Sequence, residues 1–82
     1  MQATELIVRT HIANLISSKD PASIDLAVSL TEGIGLSSLD LVILITSVFK
    51  GAMVPMTLLT EQDIKSIHTG NDLVQTLAAK QS

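Results

Sequence analysis

The sequence predicts an all-α fold, a four-helix bundle with a short third helix and a long loop between the first two helices. Apolar residues recur at helical spacing near the start of the chain. Ser/Thr-x-x-Asp sets, which are typical of helix starts, occur later. The chain has 82 residues, of which 46% are hydrophobic and 1% aromatic. A compact aliphatic bundle is therefore the economical core.

The first helix is predicted over residues 4–19. Its apolar stripe has i, i+4, i+7, i+8 spacing and consists of Val8, Ile12, Leu15 and Ile16. Pro21 ends the helix, because the residue before a proline avoids the α region. His11 lies at the edge of the stripe. It is better explained as a half-exposed helix residue than as a ligand or general base, because His68 is the only other histidine and no carboxylate cluster accompanies either.

Residues 20–37 are predicted to form a long loop. Apolar residues alternate between positions 26 and 30 as in a strand, but no partner strand is visible and a lone strand is not stable. We expect the loop to be held on the bundle by Ile24, Leu26, Val28, Leu30 and Ile34. Gly33 and Gly35 then turn the chain into the second helix.

Capping boxes predict where the other three helices begin. The boxes are Ser37 with Asp40 for helix 38–50, Thr60 with Asp63 for helix 61–67, and Thr69 with Asp72 for helix 71–80. Gly51 is the expected C′ residue of the second helix. Ile64 and Ile67 are expected on the buried side of the third. The expected inward stripe of the fourth is Leu73, Val74 and Leu77.

A projection of the second helix at 100° per residue separates its apolar residues into two groups. The expected core face consists of Leu41, Val42, Ile45, Val48 and Phe49. Leu39 and Ile43 project outward one turn apart, beside Ser38. Scattered exposed apolar residues are common. This pair next to a helix start nevertheless predicts a docking spot for partners, with Asp40 and Lys50 as its charged neighbours.

Composition excludes several classes of function. The net charge is −3 and the five basic residues are spread singly, so nucleic acid is not an expected partner. The absence of cysteine excludes disulfides, thiolate zinc sites and a cysteine nucleophile. The longest apolar run, residues 41–45, is far short of the ~20 residues that span a bilayer, and no signal-peptide core is present. We expect a cytoplasmic monomer.

No catalytic or metal-binding residue is predicted. Asp40, Asp63 and Asp72 are explained as capping residues, and the other acids do not converge in the sequence. No Ser-His-Asp set is indicated for Ser38. The protein is therefore not expected to be an enzyme.

The stretch Gly-Leu-Ser-Ser-Leu-Asp-Leu-Val, residues 35–42, resembles the Gly-x-Asp-Ser-Leu-Asp/Glu-x-Val/Ile attachment motif of acyl carrier proteins. The matched serine is Ser38. Val54-Pro55 resembles the family's Ile-Pro, and residues 69–74 resemble its Thr-Val-x-Asp-Leu-Val. Ser37 stands where the family has Asp, and the second helix lacks the family's exposed acids.

The resemblance implies that Ser38 carries 4′-phosphopantetheine, transferred from coenzyme A by a phosphopantetheinyl transferase that would itself hold any Mg²⁺. The arm's thiol would carry acyl intermediates as thioesters between enzymes of a fatty acid or polyketide-type pathway. Partners would include acyl-loading enzymes, ketosynthases and other acyl-transfer enzymes. The acyl chain would withdraw partly into the bundle, and its expected lining is Val42, Ile45, Ile64 and Ile67.

Two other functions stay open from the sequence. One is an aminoacyl or peptidyl carrier of a nonribosomal system, because the motif does not identify the cargo. The other is an unmodified helical module that binds proteins through its second helix. A free-standing chain of this length suggests a dissociated system with separate enzymes. A piece excised from a larger synthase is the alternative.

Overall fold

The computed structural model describes residues 3–17 and 20–81, which confirm the all-helical class. The helices are α1 (Ala3–Leu15), α2 (Ser38–Gly51), α3 (Glu61–Ser66) and α4 (Gly70–Gln81). Short 3₁₀ turns occur at Pro21–Ser23 and Met56–Leu58. These ranges contain no β-strand, only one antiparallel bridge between Ser29 and Thr69. Within these ranges, no helix combines the length and the hydrophobicity that a membrane span requires.

Helix α1 is the middle element, because it packs against both α2 and α4. The Thr4 hydroxyl lies 2.8 Å from the Gln81 side-chain oxygen, so the start of α1 adjoins the end of α4. The His11 ring lies against Gly51, where an added Cβ would stand only 2.9 Å from the ring Cε1. Its Nδ1 is 2.8 Å from the Ile7 carbonyl oxygen. His11 therefore packs α1 against the end of α2, as expected for a structural histidine.

Helix α1 ends at Leu15, earlier than the predicted residue 19. Ser17 has a φ of 59°, which is outside the right-handed helical region. Residues 18 and 19 lie outside the described part of the chain. The buried residues of α1 are Val8, Ile12 and Ala13. Ile16 is exposed, so its predicted place in the stripe is wrong, because the helix has already ended there.

The loop between α1 and α2 is held by buried side chains and by the segment before α4. Ile24, Leu26 and Leu30 are buried, while Val28 and Ile34 are half-buried. The Leu30 N–H donates to the His68 carbonyl at 2.8 Å, and the Asn71 N–H donates to the Leu26 carbonyl at 2.9 Å. The alternating apolar residues thus lie in a series of turns, not in an extended strand, and the segment pairs with the rest of the chain at one bridge, Ser29 with Thr69.

The core face of α2 differs from the predicted face at one edge. Its buried residues are Leu44, Ile45, Val48 and Phe49, with Leu41 half-buried. Val42 is exposed, so its predicted place in the core is wrong, and Leu44 is fully buried. Val42 and Leu44 lie on opposite edges of one apolar stripe, about 160° apart at 100° per residue. Hydrophobicity alone therefore does not decide which edge meets the neighbouring helices.

The end of α2 is a Schellman motif without glycine. Gly51 is still helical, so its prediction as the C′ residue is wrong. The C′ residue is Met53, with a φ of 59°. Its N–H donates to the Lys50 carbonyl at 3.1 Å, and the Val54 N–H donates to the Phe49 carbonyl at 2.9 Å. Val54 and Phe49 are both buried, which supplies the apolar contact that often accompanies this motif.

Helix α3 is shorter and less buried than predicted. It ends at Ser66, and Ile67 is its C-cap, with a 2% exposed side chain in the core. Ile64 is exposed, so the prediction that it is buried is wrong. A helix of six residues has fewer than two turns, and the chain turns inward only at Ile67. In α4 the predicted stripe is present, with Leu73 and Leu77 buried and Val74 half-buried.

Replacing Met53 by glycine is expected to raise the free energy of unfolding by about 0.5–1 kcal/mol, because glycine has no Cβ to strain at positive φ. Urea unfolding measures the change. Met53→Ala is the matched control. It removes the exposed side chain but keeps the Cβ, and should change stability by less than about 0.5 kcal/mol. Equal effects of both substitutions would contradict the backbone explanation.

Candidate functional site

The start of α2 is built by a reciprocal pair of hydrogen bonds. Gly35 has a φ of 93°, which a glycine adopts without strain, and it turns the chain toward Ser37. The Ser37 hydroxyl accepts from the Asp40 N–H at 3.1 Å. The Asp40 carboxylate accepts from the Ser37 N–H at 3.2 Å. The predicted capping box is therefore present, and Ser38 is the first helical residue.

Ser38 is exposed at the positive end of this helix. The Asp40 N–H is taken by the cap, and the Leu41 N–H donates to the Ser37 carbonyl at 2.9 Å. The N–H groups of Ser38 and Leu39 precede the first intrahelical bond, so no helical carbonyl is available to them. The site thus places a primary hydroxyl beside two backbone donors.

An exposed apolar face adjoins Ser38 on α2. Leu39 is 69% exposed, Val42 54% and Ile43 43%, and these three residues define the α2 apolar face. The neighbouring Thr46 is exposed too, but its hydroxyl donates to the Val42 carbonyl at 2.9 Å. A partner protein that bound this surface would therefore make mainly apolar contacts with it.

The predicted partner-binding residues fall into two groups. Leu39 and Ile43 are exposed next to Ser38, as the projection predicts. Asp40 is half-buried, and one of its carboxylate oxygens is used by the cap. Lys50 is exposed in the last turn of α2, about 18 Å along the axis from Ser38 at 1.5 Å per residue. Leu39 and Ile43 therefore lie beside Ser38, whereas Lys50 lies at the other end of α2.

Of the four predicted acyl-lining residues, two are buried and two are exposed. Ile45 and Ile67 are each 2% exposed and belong to one hydrophobic core. Val42 and Ile64 lie on the surface. No open pocket is present between the described residues. The lining of an acyl chain by these residues stays a prediction. Of the four, only Ile45 and Ile67 belong to the core.

The other two capping boxes account for the carboxylates whose pKa is shifted. Asp72 accepts from the N–H groups of His68 and Thr69 at 3.0 and 3.1 Å, and these backbone hydrogen bonds lower the pKa of its carboxyl. The Thr60 N–H and Lys80 likewise lower the pKa of Asp63. Both acids are ionised structural acceptors at neutral pH. Among residues 3–17 and 20–81, no three His, Asp or Glu side chains form a group that could hold a metal.

The sequence did not predict two features of the structure. Val42 belongs to the exposed face, and the only sequence signal is its place at the edge of the apolar stripe. The second feature is an ion pair between Lys80 of α4 and Asp63 of α3, with a nitrogen–oxygen distance of 3.1 Å. Residues so far apart in sequence carry no local signal of contact.

Comparison of the chain with protein-family models and with curated proteins found no match. The residues at the start of α2 are therefore the only indication of function, through their chemistry, their geometry and the resemblance of their sequence to the carrier motif.

The cap predicts that the two adjacent serines contribute differently to stability. Ser37→Ala should lower the free energy of unfolding by about 0.5–2 kcal/mol, because it removes the oxygen that accepts from Asp40. Ser38→Ala should change it by less than about 0.5 kcal/mol, because that side chain is exposed. Chemical denaturation followed by circular dichroism measures both. A larger loss for Ser38→Ala would show that the helix begins elsewhere.

Proposed function

We propose that this chain is a carrier protein of the acyl-carrier type, with 4′-phosphopantetheine joined to Ser38. The observation that carries the proposal is the exposed hydroxyl at the first residue of α2, within a sequence that resembles the family's attachment motif. The finer architecture, a four-helix bundle like that of acyl carrier proteins, is part of the same proposal.

The residues around Ser38 fit a phosphodiester. The free N–H groups of Ser38 and Leu39 and the dipole of α2 favour a negative group there by about 0.3–1 kcal/mol. Asp40, the nearest carboxylate in α2, has one oxygen turned to the Ser37 N–H in the cap. An exposed helix start also leaves room for a modifying enzyme to approach the hydroxyl.

Attachment is a phosphoryl-group transfer in which this chain is the substrate. A bond forms between the Ser38 Oγ and the pantetheine-bearing phosphorus of coenzyme A. The pyrophosphate bond of coenzyme A breaks, the nucleotide bisphosphate leaves, and the serine proton passes to a base of the phosphopantetheinyl transferase. The bound arm supplies a thiol that holds an acyl group as a thioester. The chain itself has no cysteine and offers no thiol of its own.

The α2 apolar face is the proposed contact for enzymes that load and unload the arm. It adjoins the attachment serine, and the only charged residues of α2 are Asp40 and Lys50. Cognate acyl-loading and condensing enzymes should therefore present a more apolar and less basic surface to this carrier. Their binding should depend only weakly on salt, because few exposed charges are screened.

The proposed cargo is an acyl intermediate of a fatty acid or polyketide-type pathway, and an aminoacyl or peptidyl group is the alternative. The core that a withdrawn chain would enter is aliphatic, with Phe49 as the one aromatic residue of the sequence. Val42, Ile45, Ile64 and Ile67 stay the proposed lining. Ile45 and Ile67 would have to move apart from their neighbours to admit a guest.

A second candidate is an unmodified module that binds a partner protein through α2. The exposure of Leu39, Val42 and Ile43 favours it independently of Ser38. The two candidates differ in one respect, since only a carrier gains a covalent arm.

Coexpression with a phosphopantetheinyl transferase should add the mass of one phosphopantetheine group to the chain. Ser38→Ala should abolish this gain while helicity by circular dichroism is unchanged, whereas Ser37→Ala should still be modified. Intact-mass spectrometry makes the measurement. An unmodified wild-type chain would favour the interaction module, and a modified Ser38→Ala variant would exclude this serine as the site.

Ile43→Glu is expected to fold normally but to slow acyl transfer from a cognate enzyme, because it places a charge in the α2 apolar face. Gln75→Glu is the matched control, since it adds the same charge at an exposed position of α4. Transfer rates and urea unfolding are measured for both. If Ile43→Glu transfers at the rate of the control, the docking surface lies elsewhere.

A further inference from the structure

Leu30 joins the segment that enters α2 to the segment that precedes α4. Its side chain is fully buried. Its N–H donates to the His68 carbonyl at 2.8 Å, and its carbonyl accepts from the Leu36 N–H at 3.0 Å. One buried residue thus connects the approach to α4 with Leu36, the residue immediately before the Ser37 cap.

The chain between Leu30 and Leu36 is closed by hydrogen bonds of its own. The N–H groups of Gly33 and Ile34 both donate to the Ser29 carbonyl at 2.9 Å. A turn held in this way keeps Leu30 and Leu36 at a fixed separation. A displacement of Leu30 should therefore be passed on to Leu36.

Leu36 also determines how the chain enters α2. With Ser37 as the N-cap, Leu36 is the N′ residue and Leu41 is the N4 residue. These are the two positions of a hydrophobic staple, in which an apolar contact fixes the angle between the incoming chain and the helix. Leu36 is 6% exposed and Leu41 packs against the same hydrophobic core. Ser38 lies between them, so its direction depends on where Leu36 is held.

The other end of this segment lies against the first residue of α4. Gly70 is buried there, and an added Cβ would stand 2.5 Å from the Leu26 Cδ2 and 3.2 Å from the Leu26 Cα. The Asn71 N–H donates to the Leu26 carbonyl at 2.9 Å. The segment therefore approaches α4 so closely that a side chain at position 70 would push it away.

We propose that residues 26–36 form a strut that sets the position of the Ser38 hydroxyl relative to the start of α4, with Leu30 and Leu36 as its positioning residues. Both act through the cap and neither is adjacent to Ser38 in the sequence. The role rests on the proposed function, in which this hydroxyl is the group that the transferase modifies.

The chemistry of attachment makes the position of the hydroxyl important. Phosphoryl transfer requires the attacking oxygen and the leaving oxygen to lie roughly in line with the phosphorus. A misplacement of about 1 Å can slow such a step by up to about 100-fold. A displaced strut would still present the exposed residues of α2 to the transferase. It should therefore slow the transfer step more than it weakens the binding of the chain.

Amide hydrogen exchange of the unmodified protein tests the strut. Gly70→Ala should raise exchange at Leu36 and Asp40 by about fivefold or more relative to the amide of Val48, the low end of the effect of overpacking a core. The Asp40 amide reports the cap, because it donates to the Ser37 hydroxyl.

Gly51→Ala is the matched control. It also adds a Cβ to a crowded helical glycine, 2.9 Å from the His11 ring, but at the other end of α2. It should leave exchange at Leu36 and Asp40 unchanged relative to Val48. An equal increase in both variants, or an increase in Gly70→Ala that is confined to Leu30 and Asn71, would overturn the strut.

Two further variants test the links one at a time. Leu26→Ala removes the methyl group that the new Cβ meets, so Gly70→Ala should have a smaller effect in that background than in the wild type. Leu36→Ala shortens the staple residue but keeps the backbone contacts with α4. It should raise exchange at Asp40 and leave Asn71 unchanged, relative to Val48. Unchanged exchange at Asp40 would overturn the role of Leu36 even if Gly70→Ala did not fold.

Transferase kinetics with this chain as the substrate test the role of the strut. Gly70→Ala should lower kcat by about threefold or more and change KM for the chain by less than about twofold. Gly51→Ala should leave both at their wild-type values. An unchanged kcat in Gly70→Ala, or the same loss in Gly51→Ala, would overturn the positioning role. If the wild type accepts no arm, the proposed function fails, whereas the exchange result on the unmodified chain still decides the strut.

Discussion

The reciprocal capping box of Ser37 and Asp40 is the interaction on which the site depends. It determines the residue at which α2 begins, and from that point the 3.6-residue period assigns every side chain of the helix to a direction. Ser38 is exposed because it is the first residue of α2, and Leu39 lies beside it as the second. A start one residue later would make Ser38 the cap and engage its hydroxyl with the backbone.

The same reciprocal cap occurs at the starts of α3 and α4. Asp63 and Asp72 also accept from backbone N–H groups at helix starts, and hydrogen bonds hold the pKa of each below its ordinary value of 3.8. A carboxylate in such a cap is a poor general base near neutral pH. In the proposed function, the attached arm and the partner enzymes therefore supply the reactive groups. This chain would hold the arm and its acyl group.

The sequence predicted the features that depend on neighbouring residues: the three capping boxes, the helical class and the outward direction of Leu39 and Ile43. The features that it did not predict depend on packing between distant parts of the chain. Val42 and Leu44 are equally apolar, and only the position of neighbouring helices decides which is buried. Met53 takes a positive φ that sequence reasoning would give to glycine, and Lys80 meets Asp63 through the fold alone.

The proposed function requires the cap to direct modification to Ser38 and not to Ser37. Fragmentation mass spectrometry of the wild-type chain, after incubation with coenzyme A and a phosphopantetheinyl transferase, tests it most directly because the two serines are adjacent and both are exposed. We expect every modified molecule to carry the arm on Ser38. An arm on Ser37, or a mixture of the two sites, would contradict it.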